Sequence, residues 1–346
     1  MNHQESSFME PERRVYEARN INTDPREQRQ QYQSENPQMY GGSGQQQQMG
    51  EKPRTSRERR PRRGWIFLLV VLLLIVLVAG GVVSLASSFV SSLSSTGTHS
   101  FSGIAHPKLV IQDDSGTIHV HTGGSGDAVT VSETKFVRGI GPLSLDGMHV
   151  DYTKNGNTIS IVAQSGNGAL FFGSRDIDLD ITVPTVSDLS IHNGSGQVEV
   201  DDINGSVVAK TGSGSINASN LNGPVTLETG SGSINASGIN GQAIITTGSG
   251  SIEVTDAKLS GQSVVKTDSG PIKFSGSIDP AGSYQFETGS GSIDATLPTS
   301  SAFKLNASTG SGDVTNDFGS TAVGNDPRAA LRMQTGSGSI SLHKGQ

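Results

Sequence analysis

From Val198 onward, apolar and polar positions alternate in runs of four or five residues, and each run ends at a glycine, serine or asparagine corner. Period-two alternation over so short a length marks a half-buried strand, not a helix. Ile216-Asn217-Ala218 and Val225-Thr226-Leu227-Glu228-Thr229 show the pattern. The next period repeats it with Ile234, Ala236, Ile239 and Ile244, and the one after with Ile252, Val254, Leu259 and Val264, all predicted to point inward.

The corners repeat as well. Thr229-Gly230-Ser231-Gly232-Ser233-Ile234 has close copies whose second glycines fall at Gly196, Gly214, Gly232, Gly250, Gly270, Gly291, Gly312 and Gly338, with spacings of 18, 18, 18, 20, 21, 21 and 26. Between them runs a second turn, Ile203-Asn204-Gly205, Leu221-Asn222-Gly223, Ile239-Asn240-Gly241 and Leu259-Ser260-Gly261. Each period therefore holds two strands and two corners, and such periods mean stacked coils. One coil buries too little apolar area to offset its chain entropy, so neighbours must cover one another's faces. Stacking also predicts ladders of equivalent side chains, serines from Ser213 to Ser337 and threonines from Thr211 to Thr335, whose hydroxyls satisfy one another.

The region before the repeats is less regular. Leu109-Val110-Ile111, Gly116 to His121 and Val129-Thr130-Val131 read as strands, whereas Lys135 to Gly147 and Gln164 to Ser174 read as loops. Asp176 to Val183 alternates acidic and apolar residues over eight positions, which places its carboxylates on a solvated strand face.

Further upstream the pattern changes in kind. Residues 1–64 are polar without periodicity and read as a disordered cytoplasmic tail. Trp65 to Val83 is an apolar run of 19 residues, long enough as a helix to cross the roughly 30 Å hydrocarbon core, and Ser84 to Ala86 extends it. Five arginines, Arg57, Arg59, Arg60, Arg62 and Arg63, precede that run, and no basic residue follows until Lys108. The bias predicts a single-pass membrane protein with a cytoplasmic N-terminus and an extracytoplasmic C-terminal domain. Residues 87–106 are serine-rich and read as a stalk, leaving 107–344 as the folded domain.

Candidate chemistry is sparse. The chain has no cysteine, which excludes disulfides, thiol catalysis and cysteine-bound metals. Each Gly-Ser-Gly is followed by a strand, so it is neither a phosphate-binding loop nor a nucleophile elbow. A calcium-binding β-roll needs an aspartate in each glycine turn, and the copies lack it. His119 and His121 share a strand face, a pair that holds a metal when a third ligand converges, but the sequence indicates no such ligand. No metal, cofactor or catalytic residue is expected.

The order Pro107-Lys108-Leu109-Val110-Ile111, Asp114-Ser115-Gly116-Thr117-Ile118, Asp178 to Pro184 and then the Gly-Ser-Gly-x-Ile repeats resembles the bacterial β-strand-repeat family known as putative adhesins. The resemblance covers residues 101–344. It implies an all-β, single-stranded right-handed parallel β-solenoid in an envelope protein, with an adhesive or scaffolding role, and some relatives are linked to envelope-stress systems. It carries over no catalytic residue.

Charge narrows the partner. Removing the tail's 9 acids and 12 bases from the chain's 32 and 25 leaves 23 acids against 13 bases beyond it. An acidic domain repels polyanions, so nucleic acid is not an expected partner, while glycan, cell-wall material or a surface protein is. The outward positions Asn217, Glu228, Asn235, Thr246, Glu253, Lys266 and Lys273 are expected to form one flat polar binding face. The alternative is a sensor whose tail recruits a cytoplasmic partner.

Overall fold

The computed structural model describes residues 91–123, 126–140, 142–166 and 172–345. The expected tail, the expected span and the start of the stalk lie outside the described residues. Among the described residues no helix is long and apolar enough to cross a membrane.

Among the described residues the domain is all-β, with one 13-stranded and one 12-stranded sheet. Each repeat contributes one strand to each sheet. Val207–Thr211 pairs in parallel with Val225–Thr229, and Ile216–Ser219 with Ile234–Ser237, at a constant offset of 18 residues. The inward rows of both sheets supply the core: Ile216, Leu221, Leu227, Ile234, Ile239 and Ile245 are all fully buried.

Two inward assignments are off by one residue. Ala243, Ile245 and Thr247 stack on Val225, Leu227 and Thr229, which turns Ile244 outward at 40% exposure. Val264 is likewise only half-buried, while Ser263 and Val265 take the inward places. Two apolar residues in succession leave register undecided by hydrophobicity alone, and a one-residue slip exchanges the faces.

Glycine is required where backbones meet. A Cβ on Gly214 would lie 1.6 Å from the Gly196 carbonyl oxygen of the adjacent coil. A second corner runs through Asp202, Asn220, Gly238 and Asp256, all with φ between 52° and 64°, a left-handed conformation that glycine, asparagine and aspartate tolerate best. Asn220 Nδ2 donates to Asp202 Oδ1 at 2.9 Å there. At the asparagine corner, Asn222 donates to Asn204 at 2.8 Å and Asn240 to Asn222 at 3.1 Å.

The threonines do not bond one another as expected. Each donates across the stack to a glycine carbonyl: Thr229 to Gly214 at 2.7 Å, Thr247 to Gly232 at 2.7 Å, and Thr335 to Gly291 at 2.8 Å. The inward threonine is buried and faces the corner where a carbonyl would otherwise lack a donor. Serine-to-serine bonding occurs one position beyond the second glycine, between Ser251 and Ser233.

Spatial order departs from chain order at both ends. Ala329–Ser337 lies between Ser283–Ser290 and Phe303–Thr309, so the last coil in sequence is inserted beside its second-last predecessor. Its companion strand Ile340–Gly345 lies likewise between Ile293–Pro298 and Val314–Asn316. At the other end Lys108–Ser115 sits between Thr158–Gln164 and Asp188–Ser195.

Two expected irregular segments are strands. Ser91–Phe101, assigned to the stalk, pairs antiparallel with Val129–Ile140, which in turn pairs antiparallel with Phe172–Val183. These pairings place 135–140 of the loop expected at 135–147, and 172–174 of the one expected at 164–174, in strands, and they depart from an all-parallel stack. Serine and threonine are compatible with an edge strand whose other face is solvent, and such a cap covers the open edge of the stack.

Candidate functional site

The outer faces of the two sheets are built from the polar half of each alternating strand. Register places Asn217, Asn235, Glu253 and Lys273 in one row on one sheet. Glu228, Thr246 and Lys266 form a row on the other. The single face expected from the sequence is therefore two faces, because consecutive strands of a coil belong to different sheets.

The two rows differ in how they are satisfied. In the second, Lys210 reaches Glu228 at 2.6 Å and Lys266 reaches Glu287 at 3.1 Å, so its charges are largely paired along the stack. The hydrogen bond from Lys266 holds the Glu287 carboxyl below the usual carboxylate range. In the first row Asn235 donates to Asn217 at 3.1 Å, and a shallow groove of about 320 Å³ runs along Asn217, Ser219, Asn235, Ser237, Glu253 and Thr255. Among the aromatic side chains, Phe172 is 76% exposed, while Phe318 packs edge-on against Phe303 with Lys344 over its ring.

Two coils along the same outer row lies His119, since His119 pairs with Glu199 and Glu199 with Asn217, while His121 stands in the adjoining outward row of Asp201 and Ser219. On their other side His119 is in register with Asp180 and His121 with Thr182. The sequence offered the pair no third ligand, and here the fold corrects that expectation. Asp180 Oδ1 lies 3.5 Å from His119 Nδ1 and 3.1 Å from His121 Nε2. Asp201 on the opposite neighbouring strand reaches His119 Nε2 at 3.2 Å and is itself bonded by Ser219.

A third polar feature is interior. Asp113 occupies the place in its coil that threonine holds in the repeats, and its register partner is Asn193. Asn193 Nδ2 donates to the Gly116 carbonyl at 2.8 Å, as the threonines do to later glycines. Asp113 Oδ2 and Asn193 Oδ1 are buried acceptors without a donor among the described residues. Burial pushes the Asp113 carboxyl up to about 8, so near neutrality it is protonated and able to donate. Ser115-Gly116-Thr117-Ile118 is the signal by which this coil could have been added to the eight aligned copies.

No curated protein matches the chain. Similar solved structures include a putative cell adhesion protein from Clostridium sporogenes ATCC 15579, 12% identical over 74% of this chain and 100% of that one, with a TM-score of 0.28. A putative adhesin from Bacteroides fragilis NCTC 9343 is 11% identical over 72% and 97%, with a TM-score of 0.34. Another from Parabacteroides distasonis ATCC 8503 is 12% identical over 72% and 97%, with a TM-score of 0.32. A family model matches residues 106–343, reaching all of the strands described except Ser91–Phe101, and by that match the chain belongs to the Toastrack DUF4097 family.

Proposed function

We propose that this is a membrane-anchored extracytoplasmic protein whose domain, a right-handed parallel β-solenoid, binds or scaffolds envelope material without catalysis. The observation that carries the reading is the outer row Asn217, Asn235, Glu253 and Lys273, a regular polar surface whose first three members line an open groove. Such a surface suits many weak contacts spaced by the roughly 4.8 Å strand repeat, and it gathers no nucleophile, base and oxyanion donor at one point. Right-handedness is supported by the strong preference of parallel crossover connections for that hand. The anchor is supported by the apolar run Trp65 to Val83 and its preceding arginines.

Neutral glycan or protein is the favoured ligand class, because 23 acids against 13 bases beyond the tail disfavour polyanions. The test is a glycan array and a cell-wall pulldown with the purified full chain. Alanine at Asn217, Asn235, Glu253 and Lys273 together should reduce binding at least tenfold, while alanine at Glu228, Thr246 and Lys266 should leave it within twofold. Equal loss from both sets, or none from either, would remove this row as the contact surface.

A further inference from the structure

We propose that His119, His121 and Asp180 form a binding site for one divalent transition-metal ion of the zinc class. The reasoning starts from which ring nitrogen is already engaged. His119 Nε2 faces Asp201 Oδ2 at 3.2 Å, and His121 Nδ1 faces the Thr122 carbonyl at 3.2 Å. A carboxylate and a carbonyl only accept, so each imidazole can place an N–H on that side; Asp180 Oδ1, also an acceptor, faces the other nitrogen of each ring and without an ion competes for the same proton. In a neutral ring the other nitrogen then carries a lone pair.

Both lone pairs converge. His119 Nδ1 and His121 Nε2 point to the same atom, Asp180 Oδ1, at 3.5 and 3.1 Å, and the three candidate ligand atoms lie within 4.8 Å of one another. Three acceptors facing one another are relieved either by an imidazole proton shared with Asp180 or by a metal ion among them, and a metal ion engages all three at once. A tetrahedral zinc with ligand bonds of about 2.0–2.1 Å holds its ligand atoms about 3.3 Å apart, which is close to both spacings.

The surroundings match what a metal-bound histidine requires. Ligating imidazoles donate their second N–H to a carboxylate or backbone carbonyl, which fixes ring orientation, and here one histidine has each. Ser219 in turn bonds Asp201, extending that support into the next coil. The strand register sets the ligands: His119 and His121 are two apart on one face, and Asp180 is directly opposite His119 on the adjacent strand. Two imidazoles and one carboxylate favour zinc, copper or nickel over calcium or magnesium, which prefer oxygen. Side-chain exposures of 36%, 31% and 60% leave the fourth position open to water or to a ligand group.

The site also shares its outer row with Asn217 and Asn235, so an ion there would add one strong, directional contact to a surface of weak ones. The proposal does not depend on that surface being adhesive.

The experiment is calorimetric titration of the purified full chain with zinc, alongside cobalt(II) absorption spectra. One zinc per chain is expected, with a visible cobalt band of tetrahedral intensity. His121→Gln or Asp180→Asn should weaken zinc at least tenfold, and the double variant His119→Gln with His121→Gln should abolish both signals. Zinc should raise the thermal midpoint of the parent chain and leave that of the double variant unchanged. The proposal is overturned if the parent binds no zinc, if the double variant binds as the parent does, or if calcium binds at these residues in preference. Should the double variant fail to fold, Asp180→Asn decides, since an exposed carboxylate on the outward face of a strand can be neutralised without emptying the core.

Discussion

Replacing Thr229 by valine keeps shape and removes one hydroxyl from the interior. That hydroxyl donates to the Gly214 carbonyl at 2.7 Å and accepts from the Gly232 N–H at 3.1 Å, and Thr229 is 2% exposed. The substitution therefore strands a buried acceptor and a buried donor, both at corners that join one coil to the next. Each unsatisfied buried group costs about 1–3 kcal/mol, so the expected loss is about 2–4 kcal/mol after the added methyl is allowed for. Thr229→Ser keeps the hydroxyl and deletes a methyl, for about 1 kcal/mol. Urea unfolding of the purified full chain gives the totals, and native-state hydrogen exchange at Gly232 locates them. The reasoning fails if Thr229→Val unfolds within about 0.5 kcal/mol of the parent, or if serine is the more damaging change.

Gly214→Ala should prevent folding or cost well over 4 kcal/mol, because its Cβ would meet backbone at 1.6 Å, whereas Gly103→Ala, with nothing within 4 Å, should cost about 1 kcal/mol for its positive φ; thermal melts compare them. Asp113 gives a pH dependence. Its folded value of about 8 lies above the ordinary carboxyl value near 4, so its stabilising contribution is full below about pH 4 and is lost as pH rises through 8. Between pH 6 and 9 the parent should lose on the order of 2–3 kcal/mol from this group, and Asp113→Asn should not; parallel pH profiles of unfolding that fail to diverge would count against it. Protease added to intact cells should remove the C-terminal domain and spare residues 1–64, and protection of the repeats would reverse the expected orientation.

What could be read from the sequence was whatever depends on local period. Alternation marked Ile216–Ser219 and Val225–Thr229 as strands, and the 18-residue spacing set their parallel partners. Order at the ends was not legible. The step from Gly291 to Gly312 is 21 residues, the same as the step before it, yet these coils are not neighbours; only the step of 26 to Gly338 hints that the chain travels back. For the same reason Asp180 and His119, 61 residues apart, gave no sign of meeting. In the sequence each stands alone on its own strand face, and the coil order that joins them is decided by tertiary packing. The stalk assignment of Ser91–Phe101 followed composition, and composition cannot see that an edge strand of serine and threonine gains its hydrogen bonds from Val129–Ile140.

The stacking order is tested most directly by disulfide cross-linking, for which a chain without cysteine is a clean background. Ser283 and Ala330 are exposed register partners on adjacent strands, and Lys304 is the register partner of Ala330 on its other side. Adjacent strands stand about 4.8 Å apart, within disulfide reach, while Ser283 and Lys304 are two strands apart at about 9.6 Å. Under mild oxidation Ser283→Cys with Ala330→Cys should therefore cross-link, and Ser283→Cys with Lys304→Cys should remain reduced. The opposite result, a bond from 283 to 304 and none from 283 to 330, would mean that the coils stack in chain order and that the inserted final coil is wrong.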